Sequence, residues 1–217
     1  MESRLGTKRN IFIYNRGTTC KVGILEGPVS EHKVIASEVI PTVHPKETVK
    51  SICAFFNSFD YEYSSMGVAA FGPICLDKSS EKYGYVTTTP KEHWDNFPLL
   101  PSLLAGINRK AFKQAVFDTD VNVVALFSHL NGVRKAKNMA YITVGTGIGI
   151  GIVVNGEMVH GLIHPEGGHI RVPILPEDRE FPGVCKYHGN CLEGLCTNVG
   201  IQKRVGLATV EDNAGLP

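Results

Sequence analysis

Met139-Ala140-Tyr141-Ile142-Thr143-Val144-Gly145-Thr146-Gly147-Ile148-Gly149-Ile150-Gly151-Ile152-Val153-Val154 reads as two β-strands broken by a glycine run. Asn155-Gly156 then turns the chain back toward Met158-Val159, and Asn-Gly between apolar runs is a type I′ hairpin signal. Glycines at this density let backbone amides approach a phosphate, although a plain strand with bulges reads the same way. Upstream, short strands over Ile11–Tyr14, Lys21–Leu25 and Lys33–Ile40 precede a helix that opens at Pro45-Lys46-Glu47 and runs through Phe56. Met66–Phe71 is an apolar strand ending at Gly72-Pro73, followed by a looser segment over Tyr83–Pro90 with Trp94. Leu99–Ile107, with the stretch around Ala111, reads as a helix leading into the strand Ala115-Val116-Phe117. That strand delivers Asp118-Thr119-Asp120-Val121-Asn122 to its end, and Val123–Val133 is an amphipathic helix. Strands, helices and then a second, glycine-turned strand pair make an α/β chain of two lobes with a cleft between them. The lobes are expected over residues 1–122 and 123–217, and the tail from Gly206 to Pro217 is expected to fray.

Composition narrows the function classes. The 217 residues are 43% hydrophobic, enough for a sizeable core, and carry 22 basic against 21 acidic residues, net +1. No basic stripe marks a nucleic-acid binder, no apolar run is long enough to cross a bilayer, and polar Met1–Asn10 has no signal-peptide core. A cytoplasmic protein without nucleic-acid or membrane partners is expected.

The six cysteines then read as thiols rather than disulfides. Cys20, Cys53 and Cys75 lie in or beside apolar stretches and are expected to be buried and inert. Cys185 and Cys191 lie in a polar loop with His188, downstream of His169. His169, Cys185, His188 and Cys191 are four ligands of the right chemistry and spacing for one tetrahedral Zn²⁺; the alternative is a chance surface cluster. Four protein ligands leave no open position, so such a zinc is structural.

Several stretches together resemble the fructokinase branch of the ROK sugar kinases (repressors, open reading frames, kinases). They are Phe71-Gly72-Pro73, Tyr83–Lys91 with Trp94, Phe117–Asn122, Val144–Gly149, His164-Pro165-Glu166 with Gly168-His169, and Cys185–Gly194. The resemblance implies an actin-like ATPase (ribonuclease H-like) two-lobe α/β fold, its second lobe incomplete at Pro217. It implies transfer of the γ-phosphoryl group of Mg-ATP to a hexose, fructose for this branch, and admits a homodimer. By position, Asp120 resembles the general base that takes the proton from the sugar hydroxyl. Gly72, Thr119, Glu166, His169 and Glu193 resemble hexose contacts, His169 being also a zinc ligand. Gly17, Thr18 and Thr19 fall in the first phosphate loop, and Gly145, Thr146 and Gly147 in the second.

Each residue also has a plainer role. Asp120 suits a helix N-cap before Val123, Glu166 a solvated loop acid and Glu193 a first helical turn. The chain also departs from the family. Its kinases follow the first strand with an acidic residue and Gly-Gly-Thr-Lys, where this chain has Asn15-Arg16-Gly17-Thr18-Thr19-Cys20. The acid becomes a neutral amide, and Thr18 adds a Cβ where phosphates approach backbone. Ile150 stands where relatives carry glycine and is expected to crowd the second loop. A second reading follows: a catalytically weak or inactive sugar-binding relative or fragment, acting as sensor or interaction partner. The repressor branch predicts a helix-turn-helix before the first strand and is set aside.

Overall fold

In the computed structural model, residues 9–28, 31–108, 112–132 and 136–206 are described. By contacts the chain divides into two compact units, Met1–Val123 and Val124–Pro217. The first begins with β1 (Arg9–Asn15), β2 (Thr19–Glu26) and β3 (Lys33–Pro41). It continues through α1 (Pro45–Asn57), β4 (Tyr63–Ala70), α2 (Leu99–Gly106) and β5 (Gln114–Thr119), and α3 (Asp120–Asn131) follows.

Alternation dictates the outer strands. Ile11, Ile13 and Asn15 of β1, and Cys20, Val22 and Ile24 of β2, turn inward, while their neighbours within the two strands, buried Gly23 apart, are partly or fully exposed. The sheet runs β3-β2-β1-β4-β5, with β1, β2 and β3 an antiparallel meander. β4 pairs in parallel with both β1 and β5. Parallel central strands need crossovers, and the longest described helix of this unit, α1, connects β3 to β4. Pro45 starts α1 at a position where a missing N–H costs nothing, and Thr48 Oγ1 accepts from Val43 N at 3.0 Å. Its buried face is Val49, Ile52, Cys53 and Phe56. Asn57 ties α1 to the end of α2, donating to Gly106 O at 2.9 Å and accepting from Asn108 N at 2.8 Å. Ile52, Phe56, Met66, Leu99, Leu103 and Trp94 fill the core with the strand residues.

The second unit is built on β6 (Met139–Val144), β7 (Ile148–Val154) and β8 (Glu157–Met158), an antiparallel meander. Asn155 and Gly156 have φ of 53° and 88°, the two left-handed residues that a type I′ turn requires. After 3₁₀ turns at Gly167–His169 and Pro176–Asp178 come α4 (Leu192–Cys196) and α5 (Asn198–Val205). Thr197 caps α5 through Oγ1, and Lys203 and Arg204 occupy its last turn, where cations suit the helix dipole.

Three sequence expectations change. Helix α3 opens at Asp120, ahead of Val123, because Thr119 supplies the cap: its Oγ1 accepts from Asn122 N at 3.1 Å. Cys75 is half-buried rather than buried. Ile150 does not crowd the glycine turn; it packs on Gly167, where an added Cβ would lie 2.9 Å from Ile150 Cδ1. The stretch around Ala111, the end of the helix at Val133 and residues 207–217 of the tail lie outside the described residues. Among the described residues, no helix is long and apolar enough to cross a membrane.

Burial pushes the Cys20 thiol up to about 12. In the native chain at pH 9, Cys20 will therefore resist iodoacetamide while half-buried Cys75 and Cys196 react, and it will label only in denaturant. Peptide mass spectrometry of alkylated sites checks this.

Candidate functional site

The first unit gathers its candidate residues at one edge. Asn15 aligns with Ala70, and Ala70 with Thr119, so β1, β4 and β5 end level at their carboxyl termini. Open α/β sheets bind ligands at that edge. Beyond the strand ends lie the loop with Gly17, the Phe71-Gly72-Pro73 turn with a cis Gly72–Pro73 peptide, and Asp120. Phe71 N donates to Asn15 O at 2.9 Å, and an added Cβ at Gly17 would lie 3.8 Å from the Phe71 ring, so loop and turn support each other. Trp94 backs both: its ring meets Phe71 edge-on at 5.2 Å and its Nε1 donates to Val43 O at 2.8 Å.

The first loop is tied down from within. Asn15 is 0% exposed, and its Oδ1 accepts from Gly17 N and from Thr42 Oγ1, each at 3.1 Å. Among the described residues its Nδ2 has no partner. Arg16, Thr18 and Thr19 are exposed, so the loop presents those side chains and the Gly17 backbone outward. At the far strand end, buried Asp118 accepts from Thr119 N at 2.7 Å and Asn122 Nδ2 at 3.0 Å. Burial, and then the Asp118 charge, push the Tyr83 hydroxyl up. Asp120 is half-buried, and its Oδ1 accepts from Val121 N at 2.9 Å. Capping of α3 falls to Thr119, so the cap does not account for Asp120.

In the second unit the glycine turn and the candidate carboxylates come together. Gly145 N donates to Gly147 O at 3.0 Å, leaving Thr146 and Gly147 exposed at the tip. Glu193 Oε2 accepts from Ile148 N at 3.0 Å, seating this α4 carboxylate against the turn. Gly168 is buried directly on β7; an added Cβ would stand 1.9 Å from Ile148 O. The flanking residues are thereby held beside Glu193. Glu166 adopts the left-handed region (φ 47°, ψ 36°), uncommon for a residue with a Cβ. Its Oε1 lies 3.1 Å from His164 Nδ1, and its Oε2 lies 3.7 Å from His169 Nε2. Glu193 Oε1 is 4.0 Å from the same Nε2.

The other nitrogen of His169 faces the thiols. His169 Nδ1 lies 3.6 Å from both Cys185 Sγ and Cys191 Sγ, and His188 Nδ1 lies 3.7 Å from Cys185 Sγ. All four ligand atoms fall within 4.8 Å of one another. Zinc–sulfur and zinc–nitrogen bonds of the usual lengths at a tetrahedral angle put S and N about 3.6 Å apart. The cluster therefore has the dimensions of a metal centre before an ion is placed in it. Burial pushes the Cys191 thiol up, so a cation is what would favour its thiolate. The close approach of Gly194 to Gly189 O, 1.8 Å from an added Cβ, folds the loop around these ligands.

Two residues at these sites carry no role in the sequence reading. Thr42 has no local signal, since its partner Asn15 is far away in the chain. His164 does: two residues before Glu166 and five before His169, it completes an imidazole–carboxylate–imidazole pattern.

Comparison with known proteins follows the same residues. The chain is 42% identical to the fructokinase of Zymomonas mobilis over 84% of its own length and 61% of that protein. It is 36% identical to the fructokinase of Streptococcus mutans over 81% of its length and 59% of that protein. The chain thus spans about three fifths of the length of the curated relatives it matches. A ROK family glucokinase from Streptomyces griseus, solved with glucose and AMPPNP, superposes with a TM-score of 0.67 at 23% identity, covering 96% of this chain and 64% of that one. At that identity the likeness speaks for the fold alone, the actin-like ATPase fold. The ROK family profile matches residues 17–213, nearly all of the described sequence, and with these relatives it shows that the chain belongs to the ROK family.

Proposed function

We propose that this chain carries the sugar-binding and base-bearing parts of a hexose kinase acting on fructose with Mg-ATP. The observation that carries the reading is Asp120, a half-buried carboxylate at the carboxyl edge of a mixed sheet, where the cap of α3 is supplied by its neighbour Thr119. Phosphoryl transfer asks little covalent chemistry of a protein; it asks for positioning and one carboxylate to orient the attacking hydroxyl. In the proposed step the hexose oxygen bonds to the γ-phosphorus, the bond to the β-phosphate oxygen breaks, and the hydroxyl proton passes to Asp120. Thr119 precedes that carboxylate in the chain, and Gly72 follows β4, whose end at Ala70 pairs with Thr119. The loops at Gly17–Thr19 and Gly145–Gly147 would face the phosphates with backbone amides other than Gly17 N and Gly145 N, which bond within their own loops, and magnesium would accompany the nucleotide. Glu166 and Glu193 would accept hydrogen bonds from sugar hydroxyls, with His169 Nε2 as a donor beside them.

Zinc is the ion that two thiols, two imidazoles and the separations above fit best, and when bound it supplies a cross-link rather than a reaction centre. His169, Cys185, His188 and Cys191 would hold it, thereby fixing the segment that presents Glu166 and Glu193. Six free thiols and a Cys/His metal set suit a reducing cytoplasm.

A second reading, a sugar-binding relative with weak nucleotide handling, is favoured by Asn15. The amide is fully buried and its oxygen is spent on Gly17 N and Thr42 Oγ1, so the first loop offers no carboxylate to a hydrated cation.

Two measurements test these readings. ADP release by the purified, zinc-loaded chain with Mg-ATP should depend on fructose and fall at least about a hundredfold in Asp120→Ala. Fructose binding without any ADP release would instead establish the second reading. Metal analysis should find one zinc per chain, lost in Cys191→Ser; full zinc content in that variant would discredit the ligand set.

A further inference from the structure

Resting on the hexose reading above, we infer that His164 is a positioning residue that fixes the Glu166 carboxylate for its ligand. Four observations converge on it. The His164 side chain is 5% exposed, so it is a buried imidazole rather than a surface one. Its Nδ1 lies 3.1 Å from Glu166 Oε1, within hydrogen-bond reach. Glu166 is held in a left-handed backbone conformation, which costs free energy and persists only where its surroundings enforce it. The other oxygen, Oε2, faces His169 Nε2 at 3.7 Å.

The donor assignments follow from chemistry. An ionised carboxylate only accepts, so the nitrogen of His164 facing Glu166 must carry the proton. A metal on His169 Nδ1 takes that nitrogen's lone pair and leaves Nε2 as the N–H, the pattern in which a ligand imidazole leans on a carboxylate. Glu166 therefore stands between two imidazoles, one buried and one on the metal loop, each facing one of its oxygens. A carboxylate has about four acceptor positions, so two stay available to adjacent sugar hydroxyls with their directions set. Without His164 the carboxylate, 36% exposed, would swing between rotamers and lose that preorganisation.

The test compares the zinc-loaded full chain with His164→Ala and His164→Asn. Asparagine places an N–H close to the lost Nδ1 and should restore the clamp. Calorimetry with fructose, glucose and mannose should show binding weakened about tenfold in His164→Ala. His164→Asn should stay within about threefold of the parent, with one zinc per chain in all three proteins. Undiminished binding in His164→Ala would overturn the proposal and leave the hexose reading standing. Zinc lost along with binding would mark His164 as a support of the metal loop and also overturn it. If the parent binds none of the three sugars, the hexose reading falls, and ¹⁵N spectra of the histidine side chains decide the clamp alone. Those spectra should show His164 protonated at Nδ1, with the signal moved in Glu166→Gln; an unprotonated Nδ1 or an unmoved signal would overturn the clamp.

Discussion

A Cβ at Gly168 would stand 1.9 Å from the carbonyl oxygen of Ile148, so the loop can lie on β7 only because that residue has no side chain. The rest of the second unit follows from this contact. With the loop flat on the strand, Glu166 and His169 come within reach of Glu193, which is itself bonded to Ile148 N at 3.0 Å. Ile148 thus offers its carbonyl to one neighbour's close approach and its amide to another's carboxylate. A single strand residue at the end of the glycine turn organises both the acids and, through His169, the thiols.

Much of this was legible in the sequence, for reasons that differ by residue. Asn155-Gly156 announced its turn because few residues tolerate two consecutive positive φ angles. Cys185, His188 and Cys191 announced theirs because few other tasks need those residue types so close together. The start of α1 at Pro45 was equally local. What stayed hidden was tertiary. Thr119 and Asp120 are both good caps, and only the point where β5 ends decides between them. Ile150 could be read as crowding a loop because sequence position does not say which face of β7 it occupies; the alternation of side chains puts it against Gly167. The seat of Glu193 on Ile148 N joins residues far apart in the chain, which no local pattern encodes.

The two ends of the proposed chemistry stand on different footings. Residues assigned to sugar and metal sit in a network where each polar group has a neighbour of matching character. The first loop instead closes on itself: Asn15 turns inward, its oxygen shared by two donors and its Nδ2 without a partner among the described residues. A buried donor left so costs free energy, and an aspartate there would keep both accepted bonds while removing the orphan. The loop therefore carries an orphaned donor where an acidic residue would instead carry the desolvation of its charge.

The composition of the metal loop has an electrostatic corollary. Two thiolates cancel one divalent ion, so the Cys185–Cys191 centre is neutral overall once filled. Glu166 and Glu193 then stand beside it as carboxylates that face the imidazoles of His164 and His169, both neutral when each gives a single N–H. On the proposed hexose reading, such a corner would welcome neutral polyols, whose hydroxyls donate, and disfavour ligands that already bear a carboxylate or phosphate. Discrimination against sugar acids and phosphorylated sugars would thus be set by the charge count of the loop, independently of its shape.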